Sequence, residues 1–470
     1  MRSAPPAART LGELRASGWS PRPVREELRA NLLARLRAGE PLCEGVLGYQ
    51  DSVLPALENA LLCGHDLIFL GERGQAKTRM IRSLVQLLDE WIPVIAGSEV
   101  HDDPFAPISA HGRALLAEHG ERCPVAWLHR DDRYVEKLAT PDVSIADLIG
   151  DVDPVKVAEG RSLSDELTIH FGLVPRTHRG IFCINELPDL TEKVQVGLFN
   201  VMEERDVQIK GYRVRLPLDV FVVASANPED YTSRGRIITP LKDRYKALIR
   251  THYPRTRDLE LAIVRQEARP PKADGIALFV PPFMEEIVAE LTFQARRSSD
   301  VNQASGVSVR MSIANYETLM ASALRRALRQ GEREAVPRIS DLEALDASTC
   351  GKLELEYAGV ERTESAVIRE LTKRASKCVF DERVQPGSLA GVVESFDQGW
   401  KVEVSAAMQS HEYLAGLDQI TGLRDAALRL AGGDSSARLA SAIEFLLEGL
   451  HLSSRLNKQL RENGALYTRP

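Results

Sequence analysis

Between His65 and Leu88 the chain reads HDLIFLGERGQAKTRMIRSLVQLL, and the run Gly71, Glu72, Arg73, Gly74, Gln75, Ala76, Lys77, Thr78 has the residue types that hold a phosphate. Glycines let backbone N–H groups curl around an anion, and a helix starting near Lys77 adds its N-terminal dipole. Lys77 supplies a point charge and Thr78 a hydroxyl for a magnesium ion. Ala76 stands where the GxxxxGK[ST] pattern has glycine. Binding is only half of the chemistry. Hydrolysis of a bound nucleotide also needs a group that orients water, a sensor of the γ-phosphate and positive charge on the transition state. Glu186, after GIFCIN, is of the type that polarises water, and Asn227, after FVVASA, could hydrogen-bond that water or the γ-phosphate. Arg244 in LKDR could reach a nucleotide held by a neighbouring subunit, and Arg310 in GVSVR could reach one from a helical region. Each has a plainer alternative: asparagine caps turns, and arginines on helices form solvated ion pairs. The ligands implied are ATP and Mg²⁺.

These residues need a scaffold that brings them together. Residues 67–70 read as a buried strand, and Met80, Ile81, Leu84, Leu87 and Leu88 give the following helix one apolar face. Residues 180–184 and 220–226 are wholly apolar runs, suited to central parallel strands covered on both faces. Between them, 191–204 is an amphipathic helix, and 160–179 and 205–216 suggest hairpins, the second turning at Lys210-Gly211. Such alternation implies a right-handed parallel α/β sheet. Ligands then sit beyond the strand C-termini, where Gly71, Glu186 and Asn227 all fall. Residues 91–146 read as long and irregular. Their His101, Asp102 and Asp103 are taken as solvated loop groups, not metal ligands. From 256 to 377 the pattern is helical, and 384–470 is again mostly helical, with the apolar run 442–450 as a buried helix.

At 470 residues and 44% hydrophobic content the chain can build real cores. Lys+Arg 60 against Asp+Glu 67 gives a net charge of −7 without a basic block, so nucleic acid is not expected as a partner. The 6 cysteines are scattered with no CxxC pair, which fits a reduced compartment and neither a disulfide framework nor a zinc site. No apolar run approaches the ~18 residues of a membrane span, and the first residues lack a signal-peptide core. A soluble, cytoplasmic protein is expected.

In their order, these motifs resemble an AAA+ ATPase, more narrowly the MoxR and magnesium-chelatase I-subunit branch. The Ala76-Lys77-Thr78 ending of the phosphate loop is MoxR-like. The segment FGLVPRTHRGIF, from Phe171, is similar to the stretch leading into Walker B in chelatase I subunits. Ser225-Ala-Asn-Pro-Glu resembles a sensor-1 segment, Lys242-Asp-Arg244 an arginine-finger segment, and Gly306 to Arg310 a sensor-2 segment. Gly48-Tyr49-Gln50-Asp51 lies where the family has a short motif near the adenine, which assigns Tyr49 to the nucleotide. The resemblance covers roughly 45–350.

It implies a P-loop AAA+ three-layer αβα domain with a parallel sheet, followed by an α-helical lid and an α-helical C-terminal extension. The expected divisions are 1–44 for a leader helix, 45–255 for the nucleotide-binding core, 256–378 for the lid and 379–470 for the extension. It also implies two hairpin insertions, a hexameric ring with active sites between subunits, and force applied to a protein client, as a chaperone-like ATPase. The client would be a separate chain with a von Willebrand A domain, since no DxSxS motif occurs here. Arg234 and Arg236 are alternative fingers to Arg244. One position departs from the family: Walker B usually ends Asp-Glu, and here it ends Asn185-Glu186. Asn185 can still accept a hydrogen bond from the water shell of Mg²⁺, beside Thr78, but contributes no charge, so slower turnover is expected. The alternatives are a magnesium-chelatase I subunit driving metal insertion, and a regulatory switch that binds ATP with little hydrolysis. Transcriptional activation ranks last, since neither a GAFTGA-type loop nor a helix-turn-helix is present.

Overall fold

Strands that are apolar at every position have no face to offer water, and a computed structural model of the chain puts them at the middle of a parallel sheet. The described residues are 2–152, 168–208, 215–228, 235–303, 305–356, 363–415, 417–461 and 464–470. They fall into two compact units, Met1–His252 and Tyr253–Pro470.

After a short helix at Leu11–Ala16, the first unit has α1 (Val24–Ala38) and α2 (Val53–Cys63), then β1 (Leu67–Leu70) and α3 (Lys77–Ser83), which continues as a 3-10 turn to Leu87. After these come β2 (Tyr134–Leu138), β3 (Gly180–Asn185), β4 (Val220–Ala226), α4 (Thr239–Arg244) and β5 (Ala247–Arg250). The sheet order is β5-β1-β4-β3-β2, with every pairing parallel. Every residue of β1, β3 and β4 is buried. The pleat sends alternate side chains to two separate cores. Leu67, Phe69, Ile181, Cys183, Phe221 and Val223 face α1, α2 and α3. Ile68, Phe182, Ile184, Val222 and Ala224 pack with Val194, Leu198 and Val201 on the other side. Helices on both faces make the three-layer αβα architecture expected from the sequence.

The leader helix is fastened to the sheet by buried charge. Arg133, 1% exposed, grips Glu27 of α1 with both guanidinium ends, at 2.7 Å for the Nη1–Oε1 bond. Its Nε donates to the Arg179 carbonyl at 2.8 Å. A bidentate pair of this kind is strong because both ions keep full hydrogen bonding out of water. Arg25 pairs with Asp66, which also accepts from the Val222 N–H at 2.9 Å and so ties α1 to the mouths of β1 and β4.

The stretch 91–146, expected to be irregular, is structured. Trp91–Ile95 pairs antiparallel with Val125–His129, a helix spans Ala110–His119, and the sheet's edge strand β2 follows. Asp102 is not a solvated carboxylate: it is fully buried and accepts from the Ile108 N–H at 2.6 Å, the Ser109 N–H at 2.9 Å and the Ser98 hydroxyl at 2.8 Å. The helix expected over 191–204 breaks at Leu198 into Glu192–Gly197 and Phe199–Glu203. Of the hairpin expected over 160–179, Ile169–Phe171 is a strand, but it pairs with Gly150–Val152, upstream of that range; for the one expected over 205–216, Asp206–Gln208 pairs with Arg215–Pro217. Residues 160–167 and the Lys210-Gly211 turn lie outside the described residues.

The second unit is built on α5 (Arg257–Glu267), α6 (Pro282–Arg297), α7 (Val309–Gln330), α8 (Glu364–Arg383), β6 (Val402–Ser405), α9 (Ser436–Leu452), β7 (Asn457–Arg461) and β8 (Gly464–Thr468). One hydrophobic core runs from Phe283 to Tyr467, with α9 at its centre. The apolar run 442–450 is therefore a buried helix, as expected. The extension is not all helix: β6, β8 and β7 form an antiparallel sheet in that order. Among the described residues, no helix is long and apolar enough to cross a membrane.

His178 sits under the sheet and sets an acid limit on the first unit. Its Nδ1 accepts from the Asp219 N–H at 2.9 Å. Burial, reinforced by the neighbouring Arg179 guanidinium, pushes its pKa down to about 3. The unfolded chain then binds a proton that the folded chain refuses, from about pH 6.5 downward, so stability falls as pH falls through that window. Asp219, whose carboxyl burial pushes up, works in the opposite direction. Denaturant titrations at pH 7 and pH 5 should show the first unit losing stability, with a slope approaching about 1.4 kcal/mol per pH unit below 6.5 from this histidine alone. His178→Asn, which keeps an acceptor but no titrating group, should flatten the dependence. Equal slopes in both proteins would show that His178 is not the cause.

Candidate nucleotide site

In a parallel sheet the place for a ligand is where consecutive connections leave in opposite directions. Here that place lies between β1 and β4. From β1 the chain runs to β2 at one edge, and from β4 it returns to β5 at the other. The register Leu70↔Ala226 puts the two C-termini side by side, so the loop after Leu70 faces the loop after Ala226.

The loop 71–78 has the shape that an anion needs. Gly71 admits no side chain: a Cβ there would lie 1.8 Å from Thr251 Oγ1 and 2.3 Å from Gln75 Oε1. Gly74 takes φ +77° and Ala76 takes φ +57°, ψ +16°, the left-handed conformation that turns successive N–H groups inward before α3 begins. The position where glycine is usual is thus one where glycine would be unstrained, and Ala76 holds it against a cost of about 1–2 kcal/mol. Gln75 is buried and accepts from the Thr251 hydroxyl at 2.5 Å. Thr78 lies in the first turn of α3, Arg73 is exposed, and Glu72 accepts from Gln75 Nε2 at 3.4 Å.

Three of the residues singled out in the sequence meet in one contact chain. Lys77, buried, donates to Asn227 Oδ1 at 2.6 Å, to the Glu72 carbonyl at 3.0 Å and to the Gly71 carbonyl. Asn227 Nδ2 donates to Glu186 Oε2 at 2.7 Å. Glu186 occupies the left-handed region at φ +54°, ψ +48°, and its N–H donates to Ser225 Oγ at 3.2 Å. A glutamate held in this conformation is strained, as residues at functional sites often are. Asn185 is buried beside it, with its Oδ1 accepting from Ser225 Oγ at 3.2 Å and its Nδ2 donating to Glu136 of β2. Sequence reading missed Glu136. Tyr134-Val135-Glu136-Lys137-Leu138 shows no alternation and follows the charged run RDDR, so local pattern gave no strand signal there.

The remaining residues stand apart from this chain. Tyr49 is buried, and its hydroxyl donates to the Gln75 carbonyl at 3.0 Å and to the His252 carbonyl at 2.8 Å. Burial raises its pKa to about 12 and keeps the hydroxyl protonated, and its bonds to the Gln75 and His252 carbonyls brace the loop 71–78. Arg244, at the end of α4, pairs with Glu203, donates to the Pro240 carbonyl at 2.7 Å and stacks 4.3 Å over the Phe199 ring. Arg236 is exposed, and Arg234 lies outside the described residues. Arg310 belongs to the second unit, exposed in the first turn of α7.

A glycine-containing loop between interior strand β1 of a parallel sheet and helix α3, with an acid and amides at the ends of β3 and β4, fits a P-loop αβα domain. The chain is 28% identical over 208 residues to magnesium-chelatase subunit ChlI-1 of Arabidopsis thaliana, covering 43% of this chain and 46% of that one. It is 26% identical over 207 residues to magnesium-chelatase subunit ChlI of Anabaena variabilis, covering 43% and 57%. The chain thus spans about half the length of the curated relatives it matches. Among solved structures, BchI and BchD in the magnesium chelatase complex match at 18% identity over 67% of this chain and 93% of that one, with a TM-score of 0.32. No family model matches. With its ordered motifs, the chain is similar to AAA+ ATPases of the magnesium-chelatase I-subunit and MoxR branch.

Strain at Ala76 makes a direct prediction. Ala76→Gly removes the left-handed penalty of about 1–2 kcal/mol but adds about 0.5–1 kcal/mol of unfolded-chain entropy, so a net stabilisation of about 0–1.5 kcal/mol is expected. Chemical denaturation of the two proteins measures it. A loss of stability would mean that Ala76 packs better than its backbone conformation implies.

Proposed function

We propose that the chain binds ATP with Mg²⁺ and hydrolyses it, working as an AAA+ motor on a partner protein. The observation that carries this reading is the contact chain Lys77–Asn227–Glu186, which joins the phosphate loop to the two strand ends where water must be held. Gly71, Gly74, Ala76 and the N–H groups opening α3 would hold the β- and γ-phosphates, with Lys77 as their counter-charge. Thr78 and Asn185 have the oxygen donors that suit a magnesium ion and its water shell. When bound, that ion would neutralise charge on the phosphate oxygens. Glu186 would accept hydrogen bonding from the attacking water. As the new P–O bond forms and the bond to the leaving ADP breaks, the water's proton would pass by way of Glu186 to phosphate. Asn227, bonded to both Lys77 and Glu186, would hold the two at a fixed separation and sense the γ-phosphate.

The family resemblance supports the rest of the reading. It comprises a hexameric ring, a separate von Willebrand A domain partner, Arg310 as a sensor, and Arg244 or Arg236 offered to the neighbouring subunit's nucleotide. Cytoplasmic residence belongs to the same reading. The relatives' name extends it to a magnesium-chelatase I subunit serving metal insertion. A second reading, an ATP-dependent switch with little turnover, is favoured by one observation: an amide, Asn185, stands where a metal-side carboxylate is usual.

Phosphate release from Mg-ATP decides between motor and switch. Wild type should turn over, and Glu186→Gln should slow it by about 10²–10⁴-fold while nucleotide binding is kept. Equal rates in the two proteins would remove Glu186 from the mechanism. Binding without turnover in wild type would favour the switch.

A further inference from the structure

Asn185 is oriented from outside its own strand. In the parallel pairing of β2 with β3, Glu136 lies opposite Cys183 and Leu138 opposite Asn185, so the pleat puts the Glu136 and Asn185 side chains on the same face, one step apart along the strands. Glu136 receives Arg82 of α3 at both ends, at 2.9 Å from Nε and 3.1 Å from Nη2, together with the Tyr134 hydroxyl at 2.9 Å. A carboxylate surrounded by donors can only accept. The NH₂ end of Asn185 must therefore face Glu136, and Oδ1 must face the Ser225 hydroxyl, as observed.

We propose that Glu136 is a positioning residue for the metal-water side of this site, and that Glu136 with Asn185 replaces the single aspartate usual at the end of this strand. The proposal rests on the Mg-ATP reading. Donation from Nδ2 to a carboxylate polarises the amide and makes Oδ1 a stronger acceptor than that of an isolated asparagine. The carboxylate also fixes which end of the amide points away from β2. An aspartate at 185 would set two carboxylates against one another, so the amide is the partner that Glu136 requires. The negative charge is still present at this corner of the site, moved one strand outward and held there by Arg82.

The test is a charge swap read by metal coupling, the ratio of ADP affinity in Mg²⁺ to that in EDTA, measured by calorimetry. Glu136→Gln should lower the coupling about tenfold, the lower end for a residue that acts through a metal-side ligand, with EDTA affinity unchanged. Asn185→Asp alone should not exceed wild type. Glu136→Gln combined with Asn185→Asp restores one carboxylate and one amide in exchanged places, and should recover the coupling to within about threefold of wild type. Unchanged coupling in Glu136→Gln, or a double variant no better than Asn185→Asp, overturns the proposal. Should Glu136→Gln fail to fold, the comparison of Asn185→Asp with the double variant decides alone. Wild type that binds ADP equally in Mg²⁺ and EDTA overturns the Mg-ATP reading itself, and that result is distinct because it appears before any substitution.

Discussion

Everything at the site follows from hydrogen-bonded register between parallel strands. Leu70 pairs with Ala226 and Ala224 with Ile184, so the residues just beyond β1, β4 and β3 emerge at nearly one level. A shift of one residue would turn every side chain to the opposite face. The contacts Lys77–Asn227 and Asn227–Glu186 would then be lost together. Because β1, β3 and β4 are buried on both faces, their register is set by two cores at once and has little freedom to slip.

Around that frame, buried ion pairs tie the elements together. Glu27 and Arg133 bind the leader helix to the start of β2, and β2 in turn carries Glu136 to Asn185. Asp66, beside β1, holds Arg25 and the backbone of β4. The same structural logic that closes the core therefore reaches the site through a strand at the sheet's edge. The strained residues are the complement of this rigidity. Ala76 and Glu186 both sit in the left-handed region, one in the loop 71–78 and one just beyond β3, and the packed sheet beneath supplies the energy to hold them there.

The centre of the fold was legible because its signals are strong and local. Unbroken apolar runs at 180–184 and 220–226, and a glycine-containing loop between strand and helix at 71–78, leave few alternatives. What escaped was the edge. The strand Tyr134–Leu138 has two adjacent charged residues at its middle, follows RDDR, and is partly exposed along its length, so only pairing with β3 defines it. For the same reason Glu136 could not be read as part of the site, and Asn185 appeared as a bare loss of charge. Asp102 looked solvated because sequence shows its type but not the N–H groups that surround it. The small sheet near the C-terminus rests on pairing between 402–405 and 464–468, residues too far apart in the chain for local pattern to show. Tyr49 lies beside the loop but turns its hydroxyl to the backbone of Gln75 and His252, a distinction no motif carries.

The central claim is that the loop 71–78 is a nucleotide phosphate site whose counter-charge is Lys77. Calorimetric titration of ATP into the full chain and into Lys77→Ala tests it most directly. Loss of one charged hydrogen-bonding group predicts binding weaker by at least about tenfold in the variant, with the thermal unfolding of the first unit little changed. Equal ATP affinity in the two proteins would contradict the account, because a loop that binds as well without its lysine is not using it to hold phosphate.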